Sequence, residues 1–213
     1  MRERHTQLLI ATHNSGKARE LRELLASLPI RIRDAQAMRL QLSVSEDAPT
    51  YAGNARLKAL AYAQASGFLA LADDSGLELE ALGGAPGPRS ARLVDVSSGI
   101  DAQQTPNILD AAHRRALLEL LRAHPSPWIA RFVCALALAN PEGEVDHAEG
   151  VCLGEIIPQE RGAGGFGYDP IFLVAGSEKT MAELPQDEKN RISHRARAVA
   201  AMLPILRRRL GLT

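Results

Sequence analysis

The chain predicts an α/β protein built on a mixed, partly antiparallel sheet flanked by helices. Short apolar runs alternate with helix-period segments through the first third of the chain, which is the order of strand–helix units. Two long β-rich stretches, 128–139 and 145–157, are joined by Asn140-Pro141-Glu142-Gly143, so they read as a hairpin and supply the antiparallel part. The 213 residues are 46% apolar and 23% charged, enough for a sizeable core in one large domain or two closely packed lobes.

The elements follow in order. Residues 7–11 form a short buried strand, and Thr12-His13-Asn14-Ser15-Gly16 leads into a helix from about Lys17. Leu21, Leu24, Leu25 and Leu28 mark its apolar face at i, i+3, i+4 and i+7, and Pro29 ends it. An alanine-rich helix covers Thr50 to Ser66 and closes at Gly67. Phe68-Leu69-Ala70-Leu71 is a buried strand with Asp73-Asp74 at its end. A Ser75-Gly76 turn and a returning strand, Leu77 to Glu80, follow. After the loop from Gly83 to Pro88 come a helix near Thr105 to Ala123, the hairpin, a glycine-rich segment 162–170, a strand 171–174, and a last helix from Ser193 to about Leu210.

Charge and composition exclude some functions. With 25 basic and 25 acidic residues the chain lacks the basic excess of a general nucleic-acid binder, so no nucleic-acid partner is expected. No run approaches the roughly 20 apolar residues of a membrane span, and no signal-peptide pattern is visible. Cys134 and Cys152, in strand-like surroundings, read as buried free thiols, which fits a reducing cytoplasmic location.

Four clusters could carry chemistry. Asp73 and Asp74 are adjacent carboxylates that repel unless a cation or proton offsets them, although Asp-Asp-Ser-Gly is also good chemistry for a solvated turn. Thr12 to Lys17 is a small polar loop entering a helix. Backbone N–H groups and the positive end of the helix dipole suit a phosphate there, and Lys17 adds a point charge; plain capping by Asn14 or Ser15 is the alternative. A P-loop does not fit, because Ala18 stands where Ser or Thr belongs and Ala11 where the first glycine belongs. In Phe166-Gly167-Tyr168-Asp169, glycines let backbone approach a flat ligand, an aromatic can stack on a base, and Asp169 can accept from a base N–H; a glycine-rich turn with one buried aromatic is the alternative. Ser193-His194-Arg195, with Lys189 just upstream, offers donors to a carbonyl oxygen. The competing reading is an N-cap serine followed by a solvated charged face.

Thr12-His-Asn-Ser-Gly-Lys17, Ala72-Asp-Asp-Ser-Gly76, Leu82-Gly-Gly-Ala-Pro-Gly87, Gly165-Phe-Gly-Tyr-Asp-Pro170 and Ser193-His-Arg195 occur in that order. In this conjunction the chain resembles the inosine triphosphate pyrophosphatase family, from Leu8 to about Arg195. The resemblance implies a single domain over 1–213 with an elongated sheet and two lobes, the active-site cleft lying between them. It implies hydrolysis of inosine, deoxyinosine or xanthosine triphosphate to the monophosphate and pyrophosphate, with Mg2+ as cofactor and a homodimer as the assembly.

By the same resemblance Asp74 is the general base and a magnesium contact, with Glu46 and Asp73 as further metal residues. Thr12, His13, Asn14, Ser15, Gly16, Lys17, Lys58 and Ser75 would hold phosphate. Phe166, Gly167, Tyr168, Asp169, Lys189, His194 and Arg195 would read the base. The chain departs from the family pattern at Ser45 and Gly53, where acidic residues are usual, at Leu93, and along 95–99. A related pyrophosphatase of different base preference and a non-catalytic nucleotide-binding module stand as the alternatives.

Overall fold

The computed structural model describes residues 7–35, 37–40, 42–94 and 106–212. The variant stretch 95–99 and the predicted helix start at Thr105 lie outside them. The order along the chain is β1 (Gln7–Ile10), α1 (Ser15–Leu25), β2 (Arg31–Asp34), α2 (Tyr51–Ser66), β3 (Leu69–Leu79), α3 (Pro106–Leu121), β4 (Trp128–Ala139), β5 (Val145–Ile156), β6 (Phe172–Val174), α4 (Gln186–Ile192) and α5 (His194–Leu210). The strands form one six-stranded sheet in the order β2-β1-β3-β4-β5-β6. β1 pairs in parallel with both β2 and β3, whereas β6 runs antiparallel to β5, so the sheet is mixed as expected.

Two compact units share the chain. The first comprises Met1–Ser75, Cys134–Val151 and Ser193–Thr213, and the second Gly76–Val133 and Cys152–Ile192. In the first unit β1 is flanked by parallel strands on both sides, which is why residues 8–11 are apolar without alternation and fully buried. Alternate residues then pack against different helices. Leu8, Ile10, Leu71, Leu136 and Leu138 meet Leu21 and Leu25 of α1 and Val199, Met202 and Leu206 of α5. Leu9, Ala11, Ala70, Ala72, Ala137 and Ala139 meet Ala55, Ala59, Tyr62 and Ala63 of α2. The small side chains on both surfaces explain the alanine-rich composition of α2. Thr50 caps that helix by accepting from the Gly53 amide, and Gly67 closes it, as the sequence predicts.

In the second unit Leu77, Leu79, Phe132, Cys152, Ile156 and Phe172 form a core with Leu117 and Leu121 of α3. The Phe132 and Phe172 rings lie 4.3 Å apart between centroids. Cys134 and Cys152 are free and buried, in agreement with the thiol reading, and burial pushes the Cys134 thiol up to about 12.

Four expectations change. β3 runs without interruption from Leu69 to Leu79, so Asp73 and Asp74 lie within a strand and Ser75-Gly76 makes no turn. Leu77–Leu79 belongs to that strand and does not return. The physical reason is register: β1 pairs with β3 only as far as Ile10↔Leu71, with Ala11 N–H donating to Leu71 C=O at 2.8 Å. The carboxylates therefore sit just past the end of β1 while β3 continues. The short edge strand β2 and the polar helix α4 go unrecognised in the sequence reading, and α1 ends at Leu25, before Pro29. No helix among the described residues is long and apolar enough to cross a membrane.

Gly150 of β5 shows how closely α5 approaches. A Cβ placed there would lie 2.2 Å from the His194 carbonyl oxygen and 2.3 Å from the Ala198 nitrogen, both backbone atoms that cannot rotate away. Gly150→Ala should therefore destabilise the protein by ~1–3 kcal/mol through overpacking, read as a lower denaturant midpoint at unchanged slope. An unchanged midpoint would mean α5 yields at no cost.

Candidate active site

Asp73 and Asp74 follow each other along β3, so the pleat sends their side chains to opposite faces of the strand. Asp73 goes to the side of α1 and α5 and is fully buried. Its Oδ2 is 3.0 Å from Arg195 Nη2 and 3.4 Å from Lys17 Nζ. Arg195 is itself 1% exposed, pairs through Nη1 with Glu20 of α1, and donates from Nη2 to Ser75 Oγ at 3.0 Å. Two cations thus balance two carboxylates in the interior. Burial alone would raise the Asp73 pKa, but Lys17, Arg195 and Lys58, with the Arg195 hydrogen bond, outweigh it and hold the carboxyl well below the usual range. The solvated-turn reading of Asp73-Asp74 and the solvated-face reading of His194-Arg195 both fall, because all four residues are buried.

Asp74 faces α2. Asn54 Nδ2 donates to its Oδ2 at 3.1 Å, and Asn54 Oδ1 accepts from the Ala48 amide at 2.9 Å, which ties the segment before α2 to the carboxylate. One turn later Lys58 Nζ lies 3.0 Å from Glu46 Oε2 and 3.5 Å from Asp74 Oδ1. Here burial dominates and raises the Asp74 pKa, with Lys58, Lys17 and Asn54 opposing without cancelling it. Neighbours of one sequence therefore divide into a firmly ionised carboxylate and a more basic one. A carboxylate of raised pKa is the better proton acceptor near neutral pH.

The loop after β1 is shaped by its own side chains. Thr12 Oγ1 accepts from the Asn14 amide at 3.2 Å, and Asn14, the N-cap of α1, accepts from the Lys17 amide at 3.0 Å. The capping reading is correct, and it leaves the Lys17 side chain for Asp73. His13 Nε2 and Tyr62 Oη are 2.6 Å apart, and Ser15 and Gly16 open the helix.

Among the described residues no three His, Cys, Asp or Glu side chains gather as a metal cage. Glu46 and Asp74 nevertheless converge on one cation, the Lys58 ammonium. Two hard carboxylates of that kind would suit a hard divalent cation such as magnesium. Asp73, expected to join them, is directed to the other face of β3 and held by Arg195. At the departures from the family pattern, Ser45 donates to Asp47, and a Cβ at Gly53 would stand 2.7 Å from Ala48 Cβ, so that position has no room for a longer side chain without a shift.

The second unit holds the aromatic loop. Asp169 Oδ2 accepts from the Phe166 amide at 2.9 Å and from Lys189 Nζ at 2.7 Å, and Lys189 Nζ lies 5.4 Å from the Phe166 ring centroid. Gly165 has φ +73, and a Cβ there would meet Asp169 Oδ2 at 1.9 Å, so only glycine lets the loop close on that carboxylate. Buried Tyr168 donates from its hydroxyl to the Ser90 carbonyl at 2.8 Å. Of the predicted base-reading residues, Phe166, Gly167, Tyr168, Asp169 and Lys189 belong to this unit, and His194 and Arg195 to the first. Sequence reasoning missed Glu20 and Asn54; the signal available was that each stands one helical turn from a predicted phosphate-binding lysine, Lys17 or Lys58.

A family model described as the Ham1 family matches residues 8–205. A protein of Desulforamulus reducens named dITP/XTP pyrophosphatase is 43% identical over 95% of this chain and 96% of its own length. A Bacillus subtilis protein of the same name is 40% identical over 94% and 96%. The solved structure of a HAM1 protein from Coxiella burnetii superposes with a TM-score of 0.80 at 37% identity, covering 95% of this chain and 98% of that one. The Staphylococcus aureus Ham1 protein gives 0.77 at 34% identity over 94% and 97%. Matched over nearly its whole length in sequence and in fold, the chain belongs to the Ham1 family.

Proposed function

We propose that this chain hydrolyses non-canonical purine nucleoside triphosphates, those of inosine, deoxyinosine and xanthosine, to the monophosphate and pyrophosphate. The observation that carries the reading is the placement of Asp73 and Asp74 beside the Thr12–Lys17 helix terminus, Asp73 held by Lys17 and Arg195 and Asp74 set between Asn54 and Lys58. The names of the relatives supply the substrate class, and the family supplies the expectation of a divalent metal. When bound, magnesium supplies positive charge at the phosphate oxygens, and Glu46 and Asp74 are the residues that would hold it.

In this reading Asp74 accepts a proton from water as its oxygen attacks the α-phosphorus. The bond from that phosphorus to the α–β bridging oxygen breaks, and pyrophosphate carries that oxygen away. Lys17, Lys58, Ser75 and the polar groups from Thr12 to Gly16 bind and orient the triphosphate, and positioning with charge neutralisation does most of the work. Phe166 stacks on the base, while Asp169, Lys189 and His194 supply its polar contacts. A 6-oxo purine offers an acceptor to a histidine donor where adenine offers a second donor, and an unpaired buried donor costs ~1–3 kcal/mol. Arg195, tied to Asp73 and Glu20, keeps Asp73 ionised and the start of α5 in place. We further propose a single domain over 1–213, a cytoplasmic homodimer, and neither nucleic acid nor membrane as partner.

Pyrophosphate release should be strong and magnesium-dependent for inosine and xanthosine triphosphates and weak for those of adenosine and guanosine. Release from none would favour a binding module, and equal release from uridine or thymidine triphosphate a different base preference. Asp74→Asn should lower kcat by ~10²–10⁴ with triphosphate binding retained, the loss expected of a general base. Near-normal turnover would remove Asp74 from that role. Lys17→Ala should weaken binding by ~1.5–3 kcal/mol, as for a lost charged hydrogen bond, and unchanged KM and kcat would sink the assignment. Arg195→Met leaves two buried carboxylates short of a partner and should cost ~3–5 kcal/mol of stability, measured by denaturant unfolding.

A further inference from the structure

We infer that Asp110 and Arg114 of α3 are positioning residues for base recognition, a clamp that fixes the Phe166 loop through the backbone of Gly167. The inference rests on the reading of Phe166 as the base-stacking residue. Asp110 and Arg114 stand four residues apart on α3 and so share one helix face. Asp110 Oδ2 accepts from the Gly167 amide at 2.7 Å, and Arg114 Nη1 donates to the Gly167 carbonyl at 2.8 Å. Both polar groups of one residue are thus bound by two oppositely charged side chains from a single helix.

Gly167 needs such a grip. Its φ of +62 lies in the left-handed region, where the chain around a glycine is otherwise free to choose among several conformations. The guanidinium is fixed in its turn, because Arg114 Nε and Nη2 donate to the two carboxylate oxygens of Glu160, each at 2.9 Å. A planar fork with three donors engaged has little rotational freedom left, which a lysine could not reproduce. The clamp acts on the residue directly after Phe166, whose own amide is held by Asp169. The torsions between these fixed points orient the aromatic ring before any ligand arrives, and pre-set geometry lowers the entropy lost on binding.

The experiment compares Asp110→Ala, Asp110→Asn, Arg114→Lys and Phe166→Ala by steady-state kinetics on inosine triphosphate. Inorganic tripolyphosphate, which has no base, serves as a competing ligand, and hydrogen exchange follows residues 165–169 in the nucleotide-free protein. Asp110→Ala and Arg114→Lys should raise KM about tenfold, roughly the effect of one hydrogen bond, with a smaller change in kcat. The inhibition constant of tripolyphosphate should stay as it is, exchange at 165–169 should quicken, and Asp110→Asn, which keeps an acceptor for the Gly167 amide, should recover part of the loss. A general folding defect would instead weaken tripolyphosphate as much as the nucleotide, and that result overturns the inference. So does a normal KM for both clamp variants when Phe166→Ala raises it. If Phe166→Ala leaves KM unchanged, the base-stacking reading fails and exchange alone decides the clamp: faster exchange supports it and unchanged exchange overturns it. Should Asp110→Ala not fold, Arg114→Lys carries the same comparison.

Discussion

Two consecutive carboxylates inside one strand point in opposite directions because of the pleat, so each takes its close ion pairs on its own face, and the first unit is organised around that constraint. An ion taken out of water without a partner costs several kcal/mol, so each face of β3 has to provide its own compensation. On one side α1 brings Lys17 and Glu20 and α5 brings Arg195; on the other α2 brings Asn54 and Lys58. The helices are thus placed by charge as well as by their leucine and alanine contacts. Unequal compensation follows directly: Asp73 has a guanidinium and an ammonium within 3.4 Å, whereas Asp74 has an amide and a lysine already engaged with Glu46. In the proposed mechanism that inequality separates an anion held by its partners from the carboxylate that takes the proton from water.

The aromatic loop of the second unit solves a different problem. It carries a half-buried ring on a glycine-rich backbone, a combination that tends to be floppy. Rigidity comes from fixing almost every residue separately: the Phe166 amide by Asp169, both backbone groups of Gly167 by α3, the Tyr168 hydroxyl by Ser90, and Asp169 by Lys189. Most of these partners are charged and several are buried, so the loop has few alternative conformations in which the same bonds survive.

How much of this was legible in the sequence depended on whether the deciding partner was local. The caps at Asn14, Thr50, Gly67 and Ser193, the hairpin through Asn140, and the apolar run of β1 act over a few residues and were readable. Asp-Asp-Ser-Gly has the local propensity of a turn, and burial by residues from three helices overrides it. Glu20 looks like an ordinary surface charge of an amphipathic helix, since Arg195 lies far along the chain. β2 is four residues long with arginines at alternate positions, and α4 is seven mostly polar residues, so neither carries an apolar period long enough to register. Asp110 and Arg114 escaped notice for the same reason as Glu20: their partner, Gly167, is remote and contributes only backbone.

Charge counting in the first unit also bears on the metal. Lys17, Lys58 and Arg195 are three cations, and they are already shared among the four carboxylates Glu20, Glu46, Asp73 and Asp74. The ligand-free cluster therefore carries a small net negative charge, although Lys17 and the start of α1 are the features that favour phosphate. A triphosphate adds several more negative charges to surroundings where screening is weak. If the lysines turn to the phosphates, Asp74 and Glu46 lose Lys58, whereas Asp73 keeps Arg195. A divalent cation would offset both deficits together, since carboxylate and phosphate oxygens are both hard ligands that suit it. The balance of these seven side chains is thus a physical reason for the divalent metal expected of the family, and a nucleotide that arrives with its cation already bound would satisfy it.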